Sequence, residues 1–229
     1  MLLLVLFPRA FFFPPGAQAG EITGGWEARL MPYMAFVKIE REGKGGNMCG
    51  GFLIREDVVV TAAHCNCNLG EFPLLQVSRI SHHLAPSDLT LLQLRDTAQM
   101  TQTVGTIPLS EEMVKKGAVC SVAGWGQTSS KTNSQPSPTL QEVEMTVMGK
   151  CMCLSRPYLH YVPSRMLCMG VPLERKAPFL GDSGGPLVCD GKATGIVSHG
   201  TGDWSTPSVF TRLSKYVCWI KKTLRKLKP

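Results

Sequence analysis

The chain has 229 residues, 44% of them hydrophobic and 18% charged, with a formal net charge of +7. That length can bury a sizeable core as one large or two small units, and the composition excludes a disordered chain. Nine cysteines are too many for a typical cytosolic protein and point to an oxidising compartment.

Residues 1–19 read as a secretory signal: Leu2 to Phe7 and Ala10 to Phe13 are apolar, and Ala17-Gln18-Ala19 is a small-x-small cleavage site. Pro8-Arg9 interrupts the apolar core, and no basic residue precedes it. No uninterrupted apolar run approaches the ~20 residues a bilayer requires, so no membrane span is expected. A leader ending at Glu21 carries one Arg and one Glu, so its loss leaves the net charge at +7.

Beyond the leader the texture is all-β. Short apolar runs at Ala35 to Ile39, Val58 to Ala62, Leu89 to Leu94 and Gly195 to Ser198 are separated by Gly, Pro, Asn and Ser. Thr61-Ala62-Ala63-His64-Cys65 supplies an imidazole, and Ser87-Asp88-Leu89-Thr90-Leu91-Leu92 a carboxylate. His82 and His83, adjacent on a strand, point to opposite faces, which is poor metal geometry; they and His160 read as surface or packing residues. Lys131 to Pro138 is a polar, loop-like tract, and no Asn-x-Ser/Thr acceptor occurs. Gly181-Asp182-Ser183-Gly184-Gly185-Pro186 then places a serine where glycines leave its backbone uncovered. A hydroxyl is a poor nucleophile at neutral pH unless a base sits beside it. A terminal helix closes the chain, with Val217, Ile220, Leu224 and Leu227 on one face and Lys221, Lys222, Arg225, Lys226 and Lys228 largely elsewhere.

The order His64, Asp88, Ser183 is one of three unrelated orders that build the same charge geometry. With Ala123-Gly124-Trp125-Gly126 and Val197-Ser198-His199-Gly200, these motifs resemble the chymotrypsin-like serine peptidases, in particular the granule-stored branch of granzymes, cathepsin G and mast-cell chymase. The likeness runs from about Glu21 to the C-terminus. It implies two six-stranded antiparallel β-barrels, about 22–112 and 113–229, with the catalytic groups in the cleft between them and a C-terminal helix. It also implies a signal (1–19) and an activation dipeptide, Gly20-Glu21, removed by a dipeptidyl peptidase. The new α-amino group at Ile22 would then pair with the carboxylate of Asp182.

By the same resemblance, His64, Asp88 and Ser183 form the triad, and the N–H groups of Gly181 and Ser183 form the oxyanion hole. Ala177 falls at the floor of the primary pocket, Ser208 at a second position reaching it, and Leu180 at its rim; Phe179 replaces a cysteine found in many relatives outside this branch. Ser198, His199 and Gly200 would pair with the substrate backbone as an added strand. Small, neutral Ala177 and Ser208 imply a pocket for Phe, Tyr, Leu or Met before the scissile bond. The implied bridges are Cys49–Cys65, Cys120–Cys189 and Cys153–Cys168, with Cys151 a competitor of Cys153 for the last; Cys67, Cys151 and Cys218 are left unassigned. No metal or other cofactor is expected, and no nucleic acid. The expected partners are protein or peptide substrates and, through the basic C-terminal stretch, sulfated glycosaminoglycan; an ordinary solvated helix face is the other reading of that stretch. The expected location is secreted or in a secretory granule.

Two features depart from the family pattern. Ile22-Thr23 stands where two successive branched apolar residues are usual. More consequentially, His64 and Asp88 are 24 residues apart, about twenty fewer than such a triad usually shows. The missing stretch should contain a strand and a surface loop of the first barrel, and Asn68-Leu69-Gly70 reads as a remnant strand end before Glu71-Phe72-Pro73. Losing a strand exposes barrel edges, so a shortened first barrel is expected. Two function classes follow: a serine endopeptidase, or a catalytically impaired cationic binding protein on the same fold.

Overall fold

The structure, a computed structural model, describes residues 2–5, 25–41, 44–65, 77–83, 88–127, 135–155, 161–170, 178, 181–200 and 207–227; of 2–5, 39–41, 44–47 and 77–83 it describes the backbone alone. Its strands, β1 to β13 in chain order, form two antiparallel sheets. The first runs in the order β1 (Leu2–Val5), β3 (Met34–Arg41), β4 (Lys44–Arg55), β5 (Val58–Thr61), β7 (Leu89–Leu94) and β6 (Val77–His83). The second runs β10 (Met166–Gly170), β13 (Ser208–Arg212), β12 (Lys192–His199), β11 (Pro186–Cys189), β8 (Val119–Gly124), β9 (Gln141–Val147) and β2 (Trp26–Glu27).

A further pairing of β10 with β9 closes six strands of the second sheet into a barrel. The first sheet does not close in this way: β1 and β6 stand at its edges. The expectation of two six-stranded barrels, the first of them shortened, is therefore corrected to one closed barrel and, among the described residues, one open sheet. The abbreviated stretch between His64 and Asp88 is the physical reason. Leu2–Val5, apolar enough to read as the start of an export signal, supplies the sixth strand of the open sheet by pairing with β3.

Side-chain patterning follows the sheets. In β9, Gln141, Val143, Met145 and Val147 are buried while Glu142, Glu144 and Thr146 point away, the period-2 alternation of a strand with one covered face. Val58–Thr61 is buried throughout, as a strand paired on both sides and covered on both faces must be. One core holds Phe52, Leu53, Val59, Leu91 and Leu92 with Leu213, Tyr216, Ile220 and Leu227 from the C-terminus. A second, inside the closed barrel, holds Val122, Val143, Met145, Leu167, Leu187 and Phe210.

Among the described residues two helices complete the fold, α1 (Lys150–Leu154) and α2 (Val217–Leu224). Helix α2 buries Val217 and Ile220, one turn apart, and leaves Lys221 and Lys222 outside. The carbonyls at its end are not abandoned to solvent: Arg55 Nη1 donates to Leu224 O at 3.0 Å, and Arg55 Nη2 donates to Asp57 Oδ2 at 2.8 Å. The three disulfides pair as expected, Cys49–Cys65, Cys120–Cys189 and Cys153–Cys168. Each closed loop is worth on the order of 3–4 kcal/mol in the chain-entropy model. Among the described residues Cys151 and Cys218 are unpaired and exposed; Cys67 lies outside them. Among the described residues no helix is long and apolar enough to cross a membrane.

The terminal helix is thus a wall of the first core. Ile220→Ala, at a side chain with no solvent exposure, is expected to cost about 2–5 kcal/mol. Urea unfolding will show it as a lower midpoint with an unchanged slope.

Candidate active site

His64 sits in a short 3-10 turn, Ala63–Cys65, directly after β5, and Asp88 stands one residue before β7. Because β5 and β7 are adjacent, with Thr61 opposite Thr90, the two side chains emerge at the same end of the first sheet. His64 Nδ1 lies 2.6 Å from Asp88 Oδ2, and the His64 backbone N–H donates to Asp88 Oδ1 at 2.9 Å. One carboxylate therefore fixes both the ring and the main chain of the histidine. The Cys49–Cys65 bridge braces the same turn from β4. Its sulfurs lie near the His64 ring, but in a disulfide they provide no thiolate for a metal.

The second sheet completes this arrangement. Ser198, near the end of β12, donates its hydroxyl to Asp88 Oδ2 at 2.7 Å, and Thr211 Oγ1 donates to the Asp88 carbonyl at 3.4 Å. Burial alone would push the Asp88 carboxyl up, but hydrogen bonds from His64 and Ser198 and the His64 charge outweigh it and hold the group below its ordinary value. Ser198 was expected only to meet substrate backbone. Its bond to Asp88 was missed because a serine in an apolar strand gives no sign of what its hydroxyl reaches.

The serine loop runs from Gly181 into β11. Gly181 and Gly184 have φ of +104° and +87°, conformations open to glycine and strained for other residues. A Cβ on Gly184 would also strike the Thr61 hydroxyl and the Gly50 carbonyl. The Ser183 carbonyl accepts the Gly50 N–H at 2.7 Å, which ties this loop of the second half to β4 of the first. Among the described residues, the N–H groups of Gly181 and Ser183 are given to no acceptor, and no hydrogen bond joins the Ser183 hydroxyl to the His64 ring.

Asp182 is fully buried, and its Oδ1 accepts the Gly126 N–H at 2.7 Å. A Cβ on Gly126 would meet that carboxylate at 2.6 Å, and one on Gly124 would overlap it. The glycines of Ala123-Gly124-Trp125-Gly126 thus make room for the aspartate, a role their motif alone did not disclose. Trp125 meets Phe36 edge to face, with ring centroids 5.8 Å apart, across the two halves.

Of the other expected site residues, His199 Nδ1 lies 3.2 Å from Ser198 Oγ. Gly200 borders Ser208, whose hydroxyl would stand 3.5 Å from a Cβ built on that glycine. Ser208 is buried, and its Oγ has no hydrogen-bond partner among the described residues. Ile22, Ala177, Phe179, Leu180 and His160 lie outside the described residues.

Comparison with known proteins follows the same lines. The Trypsin family model matches residues 22–220. The chain belongs to the trypsin family of serine peptidases. Mast cell protease 3 of Ovis aries is 44% identical over 238 residues, covering 93% of both chains. Cathepsin G of Homo sapiens is 40% identical over 251 residues, covering 99% of this chain and 95% of its own. Granzyme B of Rattus norvegicus is 42% identical over 250 residues, covering 99% of each. A solved structure described as "Structure of GrC" superposes with a TM-score of 0.78 at 35% identity, covering 89% of this chain and 100% of that one. Alignments of 250 or 251 positions against a chain of 229 residues mean that these trypsin-family relatives carry residues that this member lacks.

The depressed Asp88 carboxyl makes a pH-dependent contribution with a definite sign. Its folded value lies below the unfolded value of about 3.9, so the stabilisation is complete above about pH 4 and is lost as pH falls through the folded value. Ser198→Ala removes one donor and brings the two values closer. The melting temperature of the variant is expected to lie below that of the parent at about pH 6, with the gap closing by about pH 2; thermal melts across that range check it.

Proposed function

We propose that this serine peptidase is a secreted or granule-stored endopeptidase working through His64, Asp88 and Ser183. The observation that carries the reading is the Asp88 carboxylate, held by His64 from one sheet and Ser198 from the other. Ser183 Oγ attacks a peptide carbonyl while its proton passes to His64 Nε2. That proton then goes to the leaving amine as the C–N bond breaks and the acyl-enzyme forms. Water, activated by the same imidazole, releases the acid. Asp88 keeps Nδ1 protonated and stabilises the imidazolium. Contact between the hydroxyl and the imidazole is commonly loose without substrate and tightens in the complex.

The N–H groups of Gly181 and Ser183, given to no acceptor among the described residues, suit an oxyanion hole, where each donor is worth roughly 3–4 kcal/mol in the transition state. Activation follows from cleavage after Glu21, by a dipeptidyl peptidase if Gly20-Glu21 is the whole pro-segment. The new ammonium at Ile22 would pair with Asp182, whose complete burial makes a cationic partner worth several kcal/mol. Neutral Ala177 and Ser208 favour Phe, Tyr, Leu or Met before the scissile bond, with Leu180 at the pocket rim and His199 and Gly200 beside the substrate strand.

A fluorophosphonate probe is expected to label Ser183 in chain processed to Ile22 and to leave Ser183→Ala unlabelled. His64→Ala should lower kcat by about 10⁶ and Asp88→Asn by about 10⁴. Peptide-library profiling should return apolar residues before the cut; a strict demand for Arg, Lys or Asp overturns the pocket assignment. Absence of labelling in folded, processed protein overturns the peptidase reading and leaves the cationic binder.

The same protein should bind sulfated glycosaminoglycan through the basic stretch at the end of α2, where Lys221, Lys222, Arg225 and Lys226 are all exposed. Heparin retention should persist above about 0.15 M salt, the physiological level. Elution at lower salt makes this an ordinary solvated helix face.

A further inference from the structure

Ser198 and His199 are neighbours on β12, and in a regular strand their side chains would leave opposite faces of the sheet. They meet instead. Val197 stands opposite Phe210 and His199 opposite Val209, so Ser198 is an extra residue on β12, a bulge of the kind that re-aims side chains beside active sites. His199 Nδ1 lies 3.2 Å from Ser198 Oγ, Ser198 Oγ lies 2.7 Å from Asp88 Oδ2, and Asp88 Oδ2 lies 2.6 Å from His64 Nδ1. Two imidazoles therefore end one line of contacts, with the Ser198 hydroxyl and the Asp88 carboxylate between them. A hydroxyl has one proton and two lone pairs. The carboxylate is the stronger acceptor, so the Ser198 proton goes to Asp88, and what Ser198 offers His199 is a lone pair. That contact is a hydrogen bond only if Nδ1 carries a proton.

We propose that His199 is a positioning residue for the catalytic carboxylate: with its proton on Nδ1 it donates to Ser198 and keeps the hydroxyl of that serine turned to Asp88. The two nitrogens of an imidazole are distinct, and the bonds a ring makes decide which one holds the proton. Here the alternatives are unequal. With the proton on Nε2, a bare Nδ1 would compete with Asp88 for the one proton of Ser198, and the carboxylate would lose its donor from the second sheet. With the proton on Nδ1, every contact in the line joins a donor to an acceptor. Hydrogen bonds linked in this way polarise and strengthen one another, and the gain falls on the carboxylate that orients the His64 ring. In this role His199 acts through Ser198 and touches no reacting atom. The kinetic consequence rests on the proposed roles of His64, Asp88 and Ser183, whereas the place of the proton does not, so either can fail alone.

Long-range proton–nitrogen NMR spectra at about pH 8, above the ordinary histidine range, read the tautomer. Nδ1 of His199 should show the shift of a protonated, pyrrole-type nitrogen and Nε2 that of a bare one, and Ser198→Ala should lower the share of that form. In chain processed to Ile22, the rate at which a small fluorophosphonate labels Ser183 reads the consequence. His199→Phe should slow labelling about fivefold, the scale of one neutral hydrogen bond. His199→Asn, whose amide nitrogen can stand at the place of Nδ1, should return it to within about twofold of the parent. In a Ser198→Ala background, His199→Phe should change nothing further, because the histidine acts through that hydroxyl. A ring protonated at Nε2 overturns the proposal, as does an undiminished rate in His199→Phe or a loss that Asn does not rescue. The same loss with and without the Ser198 hydroxyl also overturns it, since His199 would then act directly. If the parent is not labelled at all, the peptidase reading fails, and the nitrogen shifts alone decide where the proton sits.

Discussion

The structure turns on one carboxylate withdrawn from water at the junction of two sheets. Asp88 receives the ring and main-chain N–H of His64 from the first sheet and the hydroxyl of Ser198 from the second. A partly buried charge tolerates such a position only when its lone pairs are taken up by donors, so parting the sheets would strip the Ser198 donor and leave only those of His64. The requirement that keeps the halves in register also sets the tautomer and direction of the imidazole.

A second buried carboxylate, Asp182, repeats the logic a few residues before Pro186. It occupies space that Gly124 and Gly126 leave empty and accepts the Gly126 N–H. Two glycines whose reason was obscure in the linear chain thus prove to be the mould for an acid. The Gly50 N–H, given to the Ser183 carbonyl, and the Phe36–Trp125 contact add links between the halves. The serine loop is held by what surrounds it more than by its own residues.

Much of this was legible beforehand. The order His64, Asp88, Ser183 and the glycines around the serine carry strong local constraints, and so do cysteine positions whose partners are set by the family fold. The short interval before Asp88 correctly forewarned of an incomplete first half. What could not be read was the pairing of Leu2–Val5 with β3, because an apolar segment has the same composition whether it crosses a translocon or joins a sheet. The hydroxyls of Thr61, Ser198 and Thr211 were equally silent: a small polar residue in a strand reveals its partner only once the opposing strand is in place. β2, from the N-terminal half, pairs with β9 of the second sheet, a crossover that no periodicity encodes.

The hold of Arg55 on the last turns has a practical corollary. Its guanidinium reaches the carbonyls of Leu224 and Leu227, and Leu227 itself is almost wholly enclosed. The chain is therefore fastened as far as Leu227. Trimming the chain back past Leu227 would empty the place of that side chain and leave Arg55 only the Leu224 carbonyl with which to hold the helix.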